Sequence, residues 1–143
     1  MLDLAFISFA FTSFAFTPHY IFAMVTLEEF RHYCLAKRGV TEELPFDEIT
    51  LVYKVMGKMF ALAGGSDDGT VNLKGDPDEL LERRAQFEDV QPGYHMNKKH
   101  WVTVPLDGTV PRKTLLAWVD DSYNIIVASL PKKVRAELEQ IAP

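Results

Sequence analysis

The segment from Pro92 to Trp101 concentrates side chains that can bind a charged or aromatic ligand. It contains two histidines, two lysines and an asparagine beside two large aromatic residues. Its opening Pro92-Gly93 pair is typical of a turn, and its polar residues show neither helical nor strand periodicity. Recognition groups are commonly carried on such loops while a rigid scaffold positions the loop. We therefore expect a binding loop, with the contact residues Tyr94, His95, Asn97, Lys98, Lys99, His100 and Trp101.

Nucleic acid is one ligand that this loop could bind, because cations contact phosphates and aromatic rings stack on bases. The chain as a whole carries a formal charge of −5, so attraction to DNA would depend on a local patch. Residues 93–119 contain four cationic side chains and one acid, a local charge of +3. Tyr94 or Trp101 could stack on a base, although Trp101 could equally be a core residue of a strand. The cationic residues are Lys98, Lys99, Arg112 and Lys113.

A pocket for a small anion is the alternative interpretation of the same loop. Lysine, arginine, histidine and amide groups hold a carboxylate or phosphate through charge-assisted hydrogen bonds. Acid–base catalysis would further need a histidine that an acid orients, for which Asp120 or Asp121 is available. We therefore expect a binding protein more than an enzyme, and we assign no catalytic residue. The groups expected to converge on the anion are His95, Asn97, Lys98 and His100 with Lys74 and either Arg83 or Arg84.

Metal binding has weaker support in the residue pattern. His95 and His100 are five residues apart, which is neither the spacing of a zinc-binding helix nor a cysteine-rich site. A cluster of acids around the first helix could collect iron, since hard carboxylates bind it, but a solvated acidic surface explains the same residues. We predict no cofactor and no metal site, and keep iron handling as a further alternative. The acids are Glu28, Glu29, Glu42, Glu43, Asp47 and Glu48.

The overall composition predicts one domain of ordinary globular type. The chain has 143 residues, of which 48% are hydrophobic and 24% charged, enough to form one core. The single cysteine, Cys34, excludes an internal disulfide and is consistent with a reducing compartment. We therefore expect a cytoplasmic protein that is not associated with a membrane.

The first 23 residues differ from the rest of the chain. Ser8–Thr12 is repeated without change as Ser13–Thr17, and the segment has one acid and no lysine or arginine. It lacks the basic start of a secretory signal, and polar residues interrupt the run of about 20 apolar residues that a bilayer span needs. We expect residues 1–23 to be an extension before a domain at 24–143, with Met24 as the natural start. A secretory signal and an extra strand or membrane-facing peptide are the alternatives.

Hydrophobic periodicity and turn residues predict the element order α-β-β-β-α-β-α-α. Thr26 and Glu29 form a capping box, so the first helix begins at about Leu27 and ends near Arg38. Residues 41–45 are expected to be a connector. The order predicts an α+β domain whose helices pack on one face of an antiparallel sheet. The other predicted elements are strands near 49–55, 59–63, 70–74 and 100–106, and helices at 77–86, 111–130 and from 131 onward.

Four motifs occur in a characteristic order along the chain. They are Leu51-Val52-Tyr53-Lys54-Val55 with Gly57-Lys58-Met59-Phe60-Ala61-Leu62, Asn72-Leu73-Lys74 with Asp76-Pro77, the Pro92–Trp101 segment, and Asp121-Ser122-Tyr123 with Leu130-Pro131. Because these motifs occur in this order, the chain resembles the MmcQ/YjbR family over essentially all of residues 24–143. The family's His-x-Asn-Lys-x-His-Trp pattern lies at 95–101.

The resemblance implies a compact α+β domain similar to the frataxin (CyaY-like) fold. Family members are described as DNA-binding on the basis of a likeness to a double-wing DNA-binding arrangement, which implies that DNA is a possible partner. We therefore predict a non-enzymatic protein that binds DNA or a small anion through the loop, with Lys74, Arg112 and Lys113 as adjoining cations.

Overall fold

The computed structural model describes residues 24–64, 69–93 and 96–142. Its strands form one antiparallel sheet in the order β1-β2-β3-β4-β6-β5. This is the predicted α+β class, whereas the likeness to frataxin stays a prediction. The strands are β1 (Val40–Glu43), β2 (Thr50–Val55), β3 (Lys58–Gly64), β4 (Thr70–Lys74), β5 (Gln91–Pro92) and β6 (Trp101–Pro105). The helices are α1 (Leu27–Leu35), α2 (Pro77–Gln86), α3 (Arg112–Ser129) and α4 (Lys132–Glu139).

Helix starts were the most predictable feature of the chain. The Glu29 backbone N–H donates to Thr26 Oγ1 at 3.1 Å, so Thr26 caps α1 as predicted. Asp76 caps α2 in the same way, accepting from the N–H groups of Asp78 and Glu79. Helix α1 ends at Leu35, three residues before the predicted end, and Gly39 then adopts a φ of 73° to turn the chain into β1.

The hairpin between β2 and β3 contains a two-residue turn, which lies between the strands expected near 49–55 and 59–63. Val55 pairs with Lys58, which leaves Met56 and Gly57 as the turn residues. Their φ values are 49° and 83°, as a type I′ hairpin turn requires. Met56 is the one non-glycine residue in the described ranges that has a positive φ.

Two strands were missing from the predicted order. β1 occupies most of the expected connector, and its Val-Thr-Glu-Glu sequence has too little hydrophobic alternation to indicate a strand. It forms because residues 40–43 pair in register with 52–55 of β2. β5 is two residues long and lies at the start of the expected loop, too short for any periodicity to appear.

The main core lies between the sheet and the helices, on one sheet face as predicted. All four helices contribute buried side chains to it, including Phe30, Leu80, Val119 and Leu138. A second, smaller cluster consists of Val52, Leu62 and Trp101, with Met59 and Met96 packed against it. In strands, alternate residues point to opposite faces, so this second cluster occupies the other face of the sheet.

Some predictions fall outside the described residues. These are the proposed extension at 1–23 and the contact roles of Tyr94 and His95. No helix in the described ranges is both long and apolar enough to cross a membrane.

Candidate functional site

Residues 96–100, which we call the β6 turn, lead directly into β6. The N–H groups of His100 and Trp101 both donate to the Asn97 carbonyl, at 3.1 and 3.0 Å. The Asn97 side chain also accepts from the Lys99 N–H at 3.0 Å. Asn97 therefore stabilises the turn through hydrogen bonds to residues within it, as asparagine side chains commonly do in turns. Its amide is a structural group as well as a predicted contact.

Backbone hydrogen bonds attach the β6 turn and the first residue of β6 to neighbouring segments. Gly93 N–H donates to the Trp101 carbonyl at 2.8 Å, and Gly75 N–H donates to the His100 carbonyl at 3.0 Å. A Cβ on Gly93 would lie 2.6 Å from the Trp101 Cβ, so the two backbones can approach only because residue 93 is glycine. These contacts place half-buried His100 next to the end of β4.

Trp101 is 6% exposed and belongs to the cluster with Val52 and Leu62. It pairs with Lys74 across the β4–β6 ladder, and the Lys74 Nζ lies 5.9 Å from the centroid of the indole ring. A cation over a tryptophan face is a favourable arrangement. The structure thus supports the core interpretation of Trp101, whose ring is too buried to stack on a base. Its contribution to binding would be to hold Lys74 and the β6 turn.

Lys98 and Lys99 are exposed at the tip of the β6 turn, with exposed Asn97 before them. The ion pairs found among the described residues involve other cations and leave these two lysines without a carboxylate partner. The turn therefore presents two adjacent positive charges that no described acid neutralises.

Arg112 and Lys113 do not join this group. They begin α3, which follows the far end of β6, and the five residues of β6 separate that end from the turn by roughly 14 Å of strand. Arg112 is also engaged: its Nη1 contacts Glu29 Oε2 and donates to the Met24 carbonyl at 3.2 Å. The structure therefore divides the predicted patch into the Lys98–Lys99 tip with nearby Lys74 and a separate Arg112–Lys113 pair.

Ser122 is a residue whose positioning role sequence reasoning missed. Its buried hydroxyl accepts from the Lys74 N–H at 2.9 Å and donates to the Phe60 carbonyl at 2.5 Å. It thereby ties the middle of α3 to β3 and to the end of β4 that carries Lys74. The Asp121-Ser122-Tyr123 motif was the available signal, but a serine within a helix gives no indication of its partners.

Arg83 on α2 is a buried charged residue, at 6% exposure. Its Nη2 donates to Asp121 Oδ2 at 2.9 Å, and its guanidinium carbon lies 4.8 Å from the centroid of the Trp118 ring. Burial lowers the pKa of Arg83, while Asp121 and Glu79 oppose that shift. Its Nη1 is buried and has no hydrogen-bond partner among the described residues. A Cβ built on Gly75 would lie 3.4 Å from that Nη1, which places it beside the glycine that bonds to His100.

Most of the acids proposed for iron have other contacts. Glu42 accepts hydrogen bonds from Arg31 Nε and Nη2, each at 2.9 Å, and from the Tyr53 hydroxyl at 2.8 Å. The Arg31 bond is the main reason that the pKa of Glu42 is lowered. Asp47 accepts from the Ile49 and Thr50 N–H groups. Within the described ranges, no three His, Cys, Asp or Glu side chains are grouped so that they could hold a metal ion.

Neither acid considered for histidine activation contacts His100 among the described hydrogen bonds. Asp121 bonds to Arg83, and Asp120 accepts from the Tyr33 hydroxyl at 2.8 Å and from Lys37. Burial, and then the bond to Asp120, raises the pKa of Tyr33 to about 12. Burial also raises the pKa of the Cys34 thiol, which disfavours the reactive thiolate.

Comparison with known proteins identifies the family. Residues 35–125 match the family model YjbR. The chain belongs to the YjbR family. The uncharacterised protein YjbR of Escherichia coli (strain K12) is 36% identical over 118 residues, which cover 82% of this chain and 100% of that protein. The uncharacterised protein YyaQ of Bacillus subtilis (strain 168) is 25% identical over 117 residues, which cover 71% of this chain and 98% of that protein.

A solved YjbR-like structure supports the same fold. The crystal structure of Deinococcus radiodurans protein DR2400, described by its domain DUF419, matches with a TM-score of 0.76 and 39% identity. The match covers 82% of this chain and 90% of that chain. These relatives establish the family and the fold of the chain.

Proposed function

We propose that the chain binds nucleic acid through contacts between the β6 turn and the phosphate backbone. The observation that supports this most directly is the pair of exposed lysines, Lys98 and Lys99, on a hydrogen-bonded turn without described acid partners. A phosphate that approaches them displaces no described ion pair. Because Asn97 already orders the turn, binding would also cost little conformational entropy.

The shape of the surface favours an extended ligand over a small enclosed one. The β6 turn exposes its lysines to solvent, whereas two open grooves on the described surface are lined by other residues, mainly from the ends of α1 and α4. A polymer can lie across an open turn and place successive phosphates near Lys98, Lys99 and Lys74. We therefore favour nucleic acid as the ligand, and we place this binding in the cytoplasm.

The expected binding is weak and independent of base sequence. Trp101 is buried, so the described turn offers cations and no aromatic ring for base stacking. Each phosphate neutralised on duplex DNA contributes about 0.9 to the slope of log affinity against log salt concentration. Contacts by Lys98, Lys99 and Lys74 would give a slope of about −2 to −3.

Fluorescence anisotropy tests this proposal with labelled duplex and single-stranded DNA, using the full chain over a salt series. The test variant is Lys98→Ala/Lys99→Ala. The matched control is Lys132→Ala/Lys133→Ala, which removes two adjacent exposed lysines from the start of α4 instead. We expect wild type and control to have the same affinity and the same salt slope. The slope of the test variant should be less negative by about 2.

Two results would contradict the proposal. One is an absence of binding to either DNA even at low salt. The other is an equal loss of affinity in both double variants, which would show that DNA responds to total charge and not to the β6 turn.

A small anion is the second candidate, and one observation favours it. The buried Arg83 Nη1 lacks a partner among the described residues and lies beside Gly75, at the base of the β6 turn. Calorimetric titration with inorganic phosphate would test this candidate. It predicts saturable binding. Lys74→Gln should weaken this binding because it removes a positive charge, while the backbone bond from residue 74 to Ser122 is kept. Lys132→Ala/Lys133→Ala should leave the binding unchanged. Phosphate that produces no saturable heat would exclude it.

A further inference from the structure

β1 is an outer strand of the sheet and has a polar edge that no described strand covers. It pairs with β2 on one side and is the terminal strand in the sheet order. Met56 N–H donates to the Gly39 carbonyl, so the 39–56 pair is of the hydrogen-bonded type. In an antiparallel ladder such pairs alternate. The backbone groups of Val40 and Glu42 therefore point away from β2, toward the open edge.

The connector after β1 presents apolar side chains to solvent. Leu44, Phe46 and Ile49 are all exposed, and Phe46 is 67% exposed. Asp47 orders this connector by accepting from the N–H groups of Ile49 and Thr50, at 2.9 and 2.6 Å. Large exposed side chains on an ordered segment commonly mark an interaction surface.

An open groove lies at the other end of β1. It has a volume of about 560 Å³. Leu35 and Ile141, two of its apolar lining residues, are themselves exposed. The groove and the apolar connector thus flank the same short strand, one at each end. The lining residues include Leu35, Gly39, Val40, Met56, Gly57 and Ile141.

The two ends of β1 also differ in charge. The connector end carries exposed Glu48 and exposed Glu43, of which Glu43 also contacts Lys54 at 3.5 Å. The groove end carries Arg38 and Lys58, and the Arg38 Nε is buried without a hydrogen-bond partner among the described residues. An antiparallel arrangement of two β1 strands would bring each acidic end against a basic end, which is the complementarity that sets orientation in interfaces.

We propose that β1 pairs antiparallel with β1 of a second copy of this chain about a two-fold axis. Thr41 would lie on the axis, so that Val40 of one copy exchanges backbone hydrogen bonds with Glu42 of the other. The apolar connector of each copy then covers the groove of its partner. Centring the pairing on Glu42 instead would place two carboxylates opposite each other, which is unfavourable.

Two-fold symmetry would increase the area that this surface buries. Four paired residues alone bury little area, but a two-fold interface uses each contact twice. Contacts between the connector and the groove at both ends would add buried area to that of the paired strands. Stable interfaces bury roughly 800 Å² per partner. The result would be one continuous sheet running through both copies.

Sedimentation velocity of the full chain, from low to high micromolar concentration, tests the dimer. The test variant is Phe46→Glu, and the matched control is Leu81→Glu, since Leu81 is a comparably exposed apolar residue on α2. We expect a concentration-dependent dimer that Phe46→Glu weakens at least tenfold and Leu81→Glu leaves unchanged. A monomer at every concentration, or equal effects of the two variants, would overturn the proposal.

Disulfide trapping tests the register. Facing residues of a non-hydrogen-bonded antiparallel pair have Cα atoms about 4.5 Å apart, within the range that a disulfide spans. Thr41→Cys should therefore form a covalent dimer under mild oxidation much faster than Leu81→Cys. Native Cys34 is buried, so it should not compete. Cross-linking of Thr41→Cys at the rate of Leu81→Cys would exclude Thr41 from the axis and overturn the proposed pairing.

Discussion

The α1 side of the molecule and the β6 turn use charged residues in opposite ways. Beside α1, Arg31 binds the carboxylate of Glu42, and Lys37 contacts Asp120. Each acid also accepts a hydrogen bond from a tyrosine hydroxyl, Glu42 from Tyr53 and Asp120 from Tyr33. In the β6 turn, Lys98 and Lys99 are exposed and have no carboxylate partner among the described residues. Charges that are already paired help to position helices on the sheet, whereas unpaired charges remain available to an external anion.

This difference separates residues that maintain the fold from residues that could bind a ligand. Substitutions at the fold-maintaining positions should lower the free energy of unfolding. Substitutions at the turn lysines should leave it unchanged while altering binding.

The largest effect on stability is expected at the anchor of the β6 turn. Trp101→Ala should lower the free energy of unfolding by about 3–5 kcal/mol, because it removes a large buried side chain and leaves a cavity beside Val52 and Leu62. Urea denaturation measures the change, and Trp101→Phe should have a smaller effect. A loss below about 1 kcal/mol would mean that the turn does not depend on this packing.

A smaller loss is expected at the hydroxyl that positions Lys74. Ser122→Ala should lower the free energy of unfolding by about 2 kcal/mol, because the Lys74 N–H and the Phe60 carbonyl lose a buried partner. Ser129→Ala on the same helix is the matched control, since its hydroxyl donates to the Ile126 carbonyl within α3 and does not bridge α3 to a described strand. Equal losses in the two variants, again measured in urea, would contradict the bridging role.

The pH dependence of stability should distinguish Glu42 from an unpaired acid. Its folded-state pKa lies below the ordinary value of 4.5, mainly because of Arg31, so its contribution is fully present above that value and is lost as the pH falls through the folded pKa. Glu42→Gln should be less stable than wild type at pH 7 and should lose less stability on acidification. Urea midpoints between pH 7 and pH 3 measure this.

Glu137→Gln, at an exposed position on α4, is the control for the pH experiment and should follow wild type. If Glu42→Gln has the same acid dependence as wild type, then the bonds to Arg31 and Tyr53 do not stabilise the fold as proposed.

The smallest effect on stability is expected at the turn lysines. Lys98→Ala/Lys99→Ala should change the free energy of unfolding by no more than about 0.5 kcal/mol, as is usual for exposed residues without partners. Thermal and urea denaturation measure this. A loss well above 1 kcal/mol would mean that the lysines support the fold, and the comparison between the two regions would fail.

The sequence predicted elements whose signals are local. The Thr26 cap identified the start of α1, and hydrophobic periodicity with turn residues identified α2 and the strands β2, β3, β4 and β6. β1 was missed because residues 40–43 become a strand through pairing with β2, which lies further along the chain. Pairing of this kind leaves no periodic pattern in a segment of four residues.

The candidate site was predictable only in part, for a similar reason. The turn and its exposed lysines follow from turn residues and polarity. The grouping with Arg112 and Lys113 relied on sequence proximity, although β6 separates the two pairs and Glu29 occupies Arg112. Ser122 and Arg83 were harder still, since their roles depend on partners 38 or more residues away.

Met56 has a consequence for the engineering of this fold. A left-handed residue other than glycine, asparagine or aspartate costs roughly 1–2 kcal/mol, and Met56 holds such a conformation at the tip of the β2–β3 hairpin. Its sulfur lies 3.3 Å from where a Cβ on Gly39 would be, so its side chain packs against the start of β1. The hairpin thus combines an unfavourable backbone conformation with a favourable side-chain contact. Met56→Asn would relieve the backbone strain and lose the contact, so this turn is a suitable first position for changing the thermostability of the fold.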